Sequence, residues 1–311
     1  MKFLYLQDFH IKGKNSVNRL GNYFQDCLAK LDEIITIAKT NKCEAILDGG
    51  DFFESEKPSY SVLDAVADRI EKGKIPIYSL FGNHSMAYSH IENSNDTGLM
   101  HLQKRSKLFH SLLSDFPPFP DEMQADGWEI KGIDYKFDIE NDLKEIYFDK
   151  GIFWKIAIIH ALITPNKFFD NTSYIQCKDI NTNADLILCG HYHHPFKKEI
   201  NETTFLNIGC IGRVDITEAK IEPSVLLLDT EKRSYEIIKL KSAKKPNEIF
   251  DLKRYEELKG KKKDISEFLN ALKDTKFQAL DLGEQIVITG KKNKVEENVV
   301  NHLLTTMENV K

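Results

Sequence analysis

The 311-residue chain has 43 Lys/Arg against 48 Asp/Glu, a formal charge of -5, and 41% hydrophobic residues. This near-average composition supports one large core plus a small appendage, and it excludes a protein coated with cations. No stretch approaches eighteen uninterrupted apolar residues, which excludes a hydrophobic spanning helix.

In chain order, Lys2 to Gln7 is a short apolar run that ends abruptly in Asp8. Tyr23, Cys27, Leu31, Ile34 and Ala38, with Leu20 ahead of them, then repeat at helical spacing. The strand, loop and helix pattern recurs. Glu44 to Leu47 reads as a strand ending at Gly-Gly-Asp, Tyr60 to Ile70 as a helix, and Ile75 to Leu80 as a strand ending at Gly-Asn-His. Strands alternating with helices imply parallel pairing and an α/β layer architecture. Residues 86 to 130 read as an excursion from the core, helical around Leu99 to Leu113 and broken by Pro117, Pro118 and Pro120. Strand runs follow at Phe153 to Ile159, Ala184 to Cys189, Thr203 to Ile208, Ser224 to Leu228 and Tyr235 to Leu240, and they predict a second sheet facing the first.

A Lys/Ser/Ala/Pro segment, Lys241 to Pro246, interrupts the periodicity and marks the expected junction between residues 1–240 and 247–311. Beyond it, two striped helices around Ile265 to Leu272 and Val295 to Met307 flank a hairpin at 277–289, a small α+β appendage. From Lys239 onward there are 16 Lys/Arg and 12 Asp/Glu, so the cationic excess sits at this end and the carboxylates before it. The five cysteines form no Cys-x-x-Cys pair, and the chain starts in a strand rather than a basic and apolar leader. A reduced, cytoplasmic and soluble protein, not exported and without membrane attachment, is the expectation.

Five short motifs place metal-ligand side chains just after a predicted strand: Asp8-Phe9-His10, Gly50-Asp51, Gly82-Asn83-His84, His160, and Gly190-His191-Tyr192-His193. Any one of them occurs by chance. Together they hold five of the ten histidines at the ends of neighbouring strands, where α/β sheets bind ligands. Asp, Asn and His without thiolate suit manganese, iron or zinc rather than copper(I). Two such ions roughly 3.5 to 4 Å apart can orient a phosphate and stabilise the attacking and leaving oxygens. Asp51 is the candidate bridging carboxylate. His194 is set aside, because in an extended turn it faces away from His191 and His193.

The motif series resembles the calcineurin-like metallophosphoesterase superfamily over roughly the first 240 residues, and within it most resembles the SbcD-type nucleases of bacterial or phage origin. The resemblance implies a four-layer α/β/β/α sandwich with a C-terminal capping domain. It implies one metal, Mn(II) foremost, on Asp8, His10, Asp51 and His193, and a second on Asp51, Asn83, His160 and His191. His84 would be the catalytic donor beside the scissile phosphate. DNA and an SbcC-like coiled-coil ATPase would be partners, a homodimer would be common, and the role would be cleavage in DNA repair or recombination. Two positions depart from relatives. Ser85 stands where Asp commonly follows Gly-Asn-His, and Glu54 stands where one branch has His; its expected role is capping the next segment. Lys244, Lys245, Lys253 and Arg254 are the expected phosphate contacts on DNA. A stand-alone phosphodiesterase or phosphatase, and a DNA-end-binding scaffold with weakened catalysis, are the alternatives.

Overall fold

The computed structural model describes residues 1–16, 18–86, 95–112, 127–136, 139, 143, 145–167 and 173–257. The chain divides into two compact units, Met1–Leu252 and Lys253–Lys311. The expected junction at Lys241–Pro246 lies within the first unit, where Ile249 and Phe250 are buried. The striped helices and hairpin expected beyond Ile265, and the prolines at 117–120, lie outside the described residues.

The first unit is built on β1 (Lys2–Leu6), α1 (Tyr23–Thr40), β2 (Ala45–Asp48), α2 (Tyr60–Gly73), β3 (Ile77–Leu80), α3 (Gly98–Arg105), β4 (Phe109–Leu112) and β5 (Trp128–Ile133). It continues through β6 (Glu145–Ile146), β7 (Trp154–His160), β8 (Ile163–Thr164), β9 (Ile175–Gln176), β10 (Asn181–Thr182) and β11 (Leu186–Gly190). Last come β12 (Phe196–Ile200), β13 (Thr203–Asn207), β14 (Ser224–Asp229) and β15 (Ser234–Lys239). One large sheet runs β15-β14-β1-β2-β3-β4 and a second β12-β13-β11-β7-β5, with two-stranded pairs β10-β6 and β8-β9 besides. In the first, β1 to β4 are parallel and β14 and β15 antiparallel; in the second, only β12 is antiparallel to its neighbour.

Strand alternation sets the layers. Phe3 and Tyr5 of β1 pack with Ile156 and Ile158 of β7 and Leu186 and Leu188 of β11 between the sheets. Leu4 and Leu6 face the other way, onto α1 and α2. On β7, Ala157 and Ile159 face the outer side of the second sheet, packed with Ile146, Ile163 and Ile175. His160 is in phase with Ile156 and Ile158, so it closes the inter-sheet layer at the C-terminal end. Helix α1 begins where Asn22 accepts the Gln25 N–H at 3.1 Å, a cap worth about 1 kcal/mol.

Three expectations are corrected. Leu20 is not part of α1 and is 42% exposed. The helix expected over Leu99 to Leu113 stops at Arg105, and Phe109–Leu112 pairs in parallel with β3, so this segment completes the first sheet rather than leaving the core. Its apolar residues Leu99, Leu102 and Phe109 keep helical spacing across the break, which is why period alone missed it. Finally, β14 and β15 do not enlarge the second sheet; β14 pairs antiparallel with β1 and returns the chain to the first.

Candidate metal centre

The parallel strands end level with one another, and their exits converge. Leu6 of β1 is opposite Asp48 of β2, and Gly190 of β11 is opposite His160 of β7. Immediately past these ends the backbone turns sharply. Asp8 (φ 49), His10 (φ 52), Asp51 (φ 55) and His191 (φ 75) are all left-handed. For residues with a Cβ such conformations cost about 1 to 3 kcal/mol each, and they cluster where surrounding contacts hold functional side chains.

Those contacts are explicit. The Asp8 N–H donates to the Gly50 carbonyl at 3.1 Å, the His10 N–H to the Asp51 carbonyl at 2.8 Å, and the His191 N–H to Asp8 Oδ1 at 3.0 Å. Gln7 Nε2 donates to Asp8 Oδ2 and to Asn207 Oδ1, both at 3.0 Å. Gly50 has φ 101, and a Cβ there would lie 2.3 Å from His160 Nδ1. At Gly82 the requirement is space alone, since a Cβ would sit 2.0 Å from Asp51 Oδ1. The glycines thus serve close approach as much as turning.

All seven expected ligands are brought together. Asp8, His10 and His193 place one ligand atom each within 4.8 Å of one another, and so do Asp51, His160 and His191. Asn83 Oδ1 is 3.2 Å from His160 Nε2, and His160 Nε2 is 3.2 Å from Asp51 Oδ2. Asp51 also reaches the first group, with Oδ2 3.8 Å from His10 Nε2. It lies between the two clusters, as a bridging carboxylate must. Asp8, His10, Asp51 and His160 are all buried.

The histidine rings are held from behind. His160 Nδ1 is 2.8 Å from the Gly49 carbonyl, His84 Nδ1 is 2.9 Å from the Glu54 carbonyl, His10 Nδ1 is 2.8 Å from Glu54 Oε2, and His193 Nδ1 contacts Glu218 Oε1. A proton on Nδ1 turns Nε2 toward the cage as the nitrogen a metal would take, once any second proton has left it. His10 Nε2 and His193 Nε2 then face each other at 3.0 Å. So placed, they can share one cation, a proton when His193 is an imidazolium or a metal ion when one is bound. Asp51 Oδ2 is buried and faces the imidazole nitrogens His160 Nε2 at 3.2 Å and His10 Nε2 at 3.8 Å, where a bound cation would sit against all three. The donor set therefore fits divalent ions: Asp8, His10, Asp51 and His193 would hold one, and Asp51, Asn83, His160 and His191 the other.

The protonation of the metal-free cage follows from the same contacts. Burial pushes Asp51 up, but His160, His10 and His84 outweigh it and hold the carboxyl well below the usual range. Burial also opposes charge on His160 and His193, yet Asp51 beside the one and Glu218 beside the other raise both to about 9. His191, buried and next to the cationic His160, falls to about 4.

His84 sits at the rim, partly exposed, with a ring nitrogen within 4.8 Å of the His10 and Asp51 ligand atoms. Its backbone N–H donates to Asp51 Oδ1 at 2.9 Å, which ties it to the cage. Ser85 is buried, and it is the Glu54 carbonyl that holds the His84 imidazole. Glu54 is accordingly corrected. The next helix starts only at Tyr60 with Ser59 as its cap residue, and the Glu54 carboxylate bonds Lys12 Nζ at 3.1 Å as well as contacting His10.

Glu218 and Tyr135 are missed by sequence reasoning. Asp215-x-x-Glu218 reads as a capping box, which it forms, and nothing in that pattern signals that the same carboxylate also holds His193. The Tyr135 ring lies 5.7 Å from that of His191 and carries no motif. His194 is exposed and stands outside both ligand groups. Of the expected phosphate contacts, Lys244 pairs with Asp26 at 2.7 Å, Lys245 is exposed in the first unit, and Lys253 and Arg254 are exposed in the second.

A two-sheet α/β fold whose strand ends gather carboxylates and imidazoles around a shared Asp defines a metal-dependent phosphoesterase. Residues 1–195 match the family model described as calcineurin-like phosphoesterase, and the chain belongs to that family. It is 24% identical over 226 residues to a DNA double-strand break repair protein Mre11 of Methanosarcina mazei, covering 70% of this chain and 33% of that protein. It is 28% identical over 86 residues to a probable metallophosphoesterase of Methanothermobacter thermautotrophicus, covering 28% of this chain and 47% of that one. The matches thus span a third and about half the length of these relatives. Among solved structures, it is similar to a novel archaeal phosphodiesterase at 15% identity and a TM-score of 0.39, covering 77% of this chain and 100% of that one. It is also similar to a protein of Thermus thermophilus at 11% identity and a TM-score of 0.42, covering 76% of this chain and 98% of that one.

Proposed function

We propose that this phosphoesterase cleaves DNA as the nuclease subunit of a repair or recombination complex, using two Mn(II) ions. The observation that carries the DNA reading is the 226-residue similarity to a double-strand break repair protein, longer than the 195-residue family match. The cage supplies the chemistry. Divalent ions held there supply Lewis-acid stabilisation of charge on the attacking and leaving oxygens of a phosphodiester.

The chain's own groups do the rest. Asp51 lies between both ligand groups, and its buried carboxylate stays ionised. His84 keeps Nδ1–H on the Glu54 carbonyl, so Nε2 is the nitrogen available to a phosphoester oxygen; in the imidazolium form Nε2 carries a second proton, which passes to the leaving oxygen as its bond to phosphorus breaks. Asp8 accepts the His191 N–H and so locks together the exits of β1 and β11. A cytoplasmic setting and an SbcC-like coiled-coil ATPase as partner complete the proposal; among the described residues no helix is long and apolar enough to cross a membrane.

Purified protein incubated with Mn(II) and end-labelled single- and double-stranded DNA tests this, with and without the ATPase. Cleavage that EDTA abolishes is expected. Turnover of nitrophenyl phosphate esters with no DNA cleavage in either condition would refute the nuclease reading and favour a stand-alone phosphodiesterase.

A further inference from the structure

The loop that backs the cage also builds a basic groove. The Ile211 N–H donates to the Asp8 carbonyl at 3.1 Å, and two residues later Arg213 turns in a left-handed conformation (φ 52). Arg213 is 3% exposed. Its Nη2 donates to the Lys244 carbonyl at 2.7 Å and Nη1 to the Ala219 carbonyl at 3.4 Å, while Nε meets no acceptor among the described residues. The guanidinium makes no direct ion pair among the described residues, and Asp26 and Glu218 act on it only from farther away, so part of its charge is left to be met by an anion.

Arg213 lines a groove of about 380 Å³ together with Lys220, Lys239, Lys244, Lys245 and a single carboxylate, Glu222. Glu222 is already taken by Lys239 at 2.5 Å, and Lys244 by Asp26 at 2.7 Å. The groove cations without a direct ion pair among the described residues are therefore Arg213, Lys220 and Lys245. Ile221, Pro223 and Leu240 give the groove apolar walls. The stretch Lys220–Glu222 and Lys239 are shared with a second groove of about 680 Å³ whose lining begins at His194, the residue after the cage's His193. Sharing those four residues, the two grooves form one track between His194, the neighbour of the ligand His193, and the 241–246 segment.

We propose that this track holds the polynucleotide strand whose phosphodiester enters the cage, with Lys220 and Lys245 contacting a backbone phosphate and Arg213 adding its charge from within the wall. Cations alternating with apolar wall match a strand of phosphates and sugars, and a track two grooves long exceeds what a small phosphate ester occupies. The inference rests on the nucleic-acid reading above, and it places a phosphate contact at Lys220, which the run of C-terminal lysines does not include.

The test is fluorescence anisotropy of a labelled single-stranded oligonucleotide on the full chain in EDTA. Wild type is compared with Lys220→Glu/Lys245→Glu and with a control reversal on another surface, Lys150→Glu/Lys178→Glu. All four lysines are exposed, and thermal melts verify folding. The groove variant is expected to bind at least about tenfold more weakly than the control. Its log affinity should also fall less steeply with log salt, by about 0.7 for each phosphate no longer engaged. Equal affinity in the two reversals overturns the track while leaving the nuclease reading intact; a wild type that cleaves no DNA overturns that reading and the track with it. Inorganic phosphate titrated alone is the second arm. Saturable phosphate binding that the groove variant loses, with oligonucleotide affinity unchanged, marks a free-anion site and overturns the strand assignment.

Discussion

Glu218→Gln separates two opposing effects of one buried carboxylate on the metal site. Glu218 Oε1 contacts His193 Nδ1, and Oε2 accepts the Asp215 N–H at 3.0 Å; Gln keeps the shape and can keep the second bond. Carboxylates behind a ligand histidine raise its basicity, and losing one commonly costs 10- to 100-fold in metal affinity, or about 1.4 to 2.7 kcal/mol. The same carboxylate holds His193 at about 9 in the metal-free chain, so at pH 7 a metal must displace a proton, at about 2.7 kcal/mol. The two terms nearly cancel at neutral pH and part at higher pH. Calorimetric titration of metal-stripped protein with Mn(II) under nitrogen, from pH 6.5 to 8.5, reads this directly. Wild-type affinity at the His193 site should climb roughly tenfold per pH unit, because one proton is released. The Gln variant should show a flatter slope and fall about 2- to 25-fold behind at pH 8.5, where the His193 proton still costs the wild type about 0.8 kcal/mol. Parallel slopes in the two proteins would refute the coupling of Glu218 to His193.

Two further substitutions probe the rim and the support. His84→Ala should lower kcat by about 10²- to 10⁴-fold on any phosphodiester substrate with Mn(II) content unchanged; loss of metal instead would make His84 a ligand. Lys30, buried with its ammonium on the carbonyls of Ile211 (2.6 Å) and Gly212 (3.3 Å), falls from its ordinary 10.5 to about 8, chiefly through burial. The unfolded chain thus binds the extra proton between those values, so this group's contribution to stability rises by about 3 kcal/mol as pH climbs from 8 to 10.5. Urea midpoints at pH 7.5 and 10 should show wild type gaining on Lys30→Met with pH; a constant difference would refute it.

The cage was legible because each ligand follows a strand whose apolar run is visible: Asp8 after Lys2–Leu6, Asp51 after Ala45–Asp48, His160 at the end of Trp154–His160. Local spacing carried that information. The groups that hold the cage were not legible, because they arrive from afar. Glu218 meets a histidine 25 residues earlier, and the atom of Glu54 that holds His84 is a backbone carbonyl, which no residue type announces. Strand partners showed the same limit. Ser224–Asp229 reads as a strand from its own sequence, but its pairing with Lys2–Leu6 across most of the unit is a tertiary choice. In Phe109–Leu112 the preceding helical spacing masked the change of period at Ser106, which caps α3.

The central claim is that one carboxylate, Asp51, joins two metal positions. Anomalous diffraction from crystals soaked in Mn(II) tests it most directly. Two peaks are predicted, roughly 3.5 to 4 Å apart and both within bonding distance of the Asp51 carboxylate, one beside Asp8, His10 and His193 and the other beside Asn83, His160 and His191. A single peak, or two peaks of which one does not contact Asp51, would contradict it.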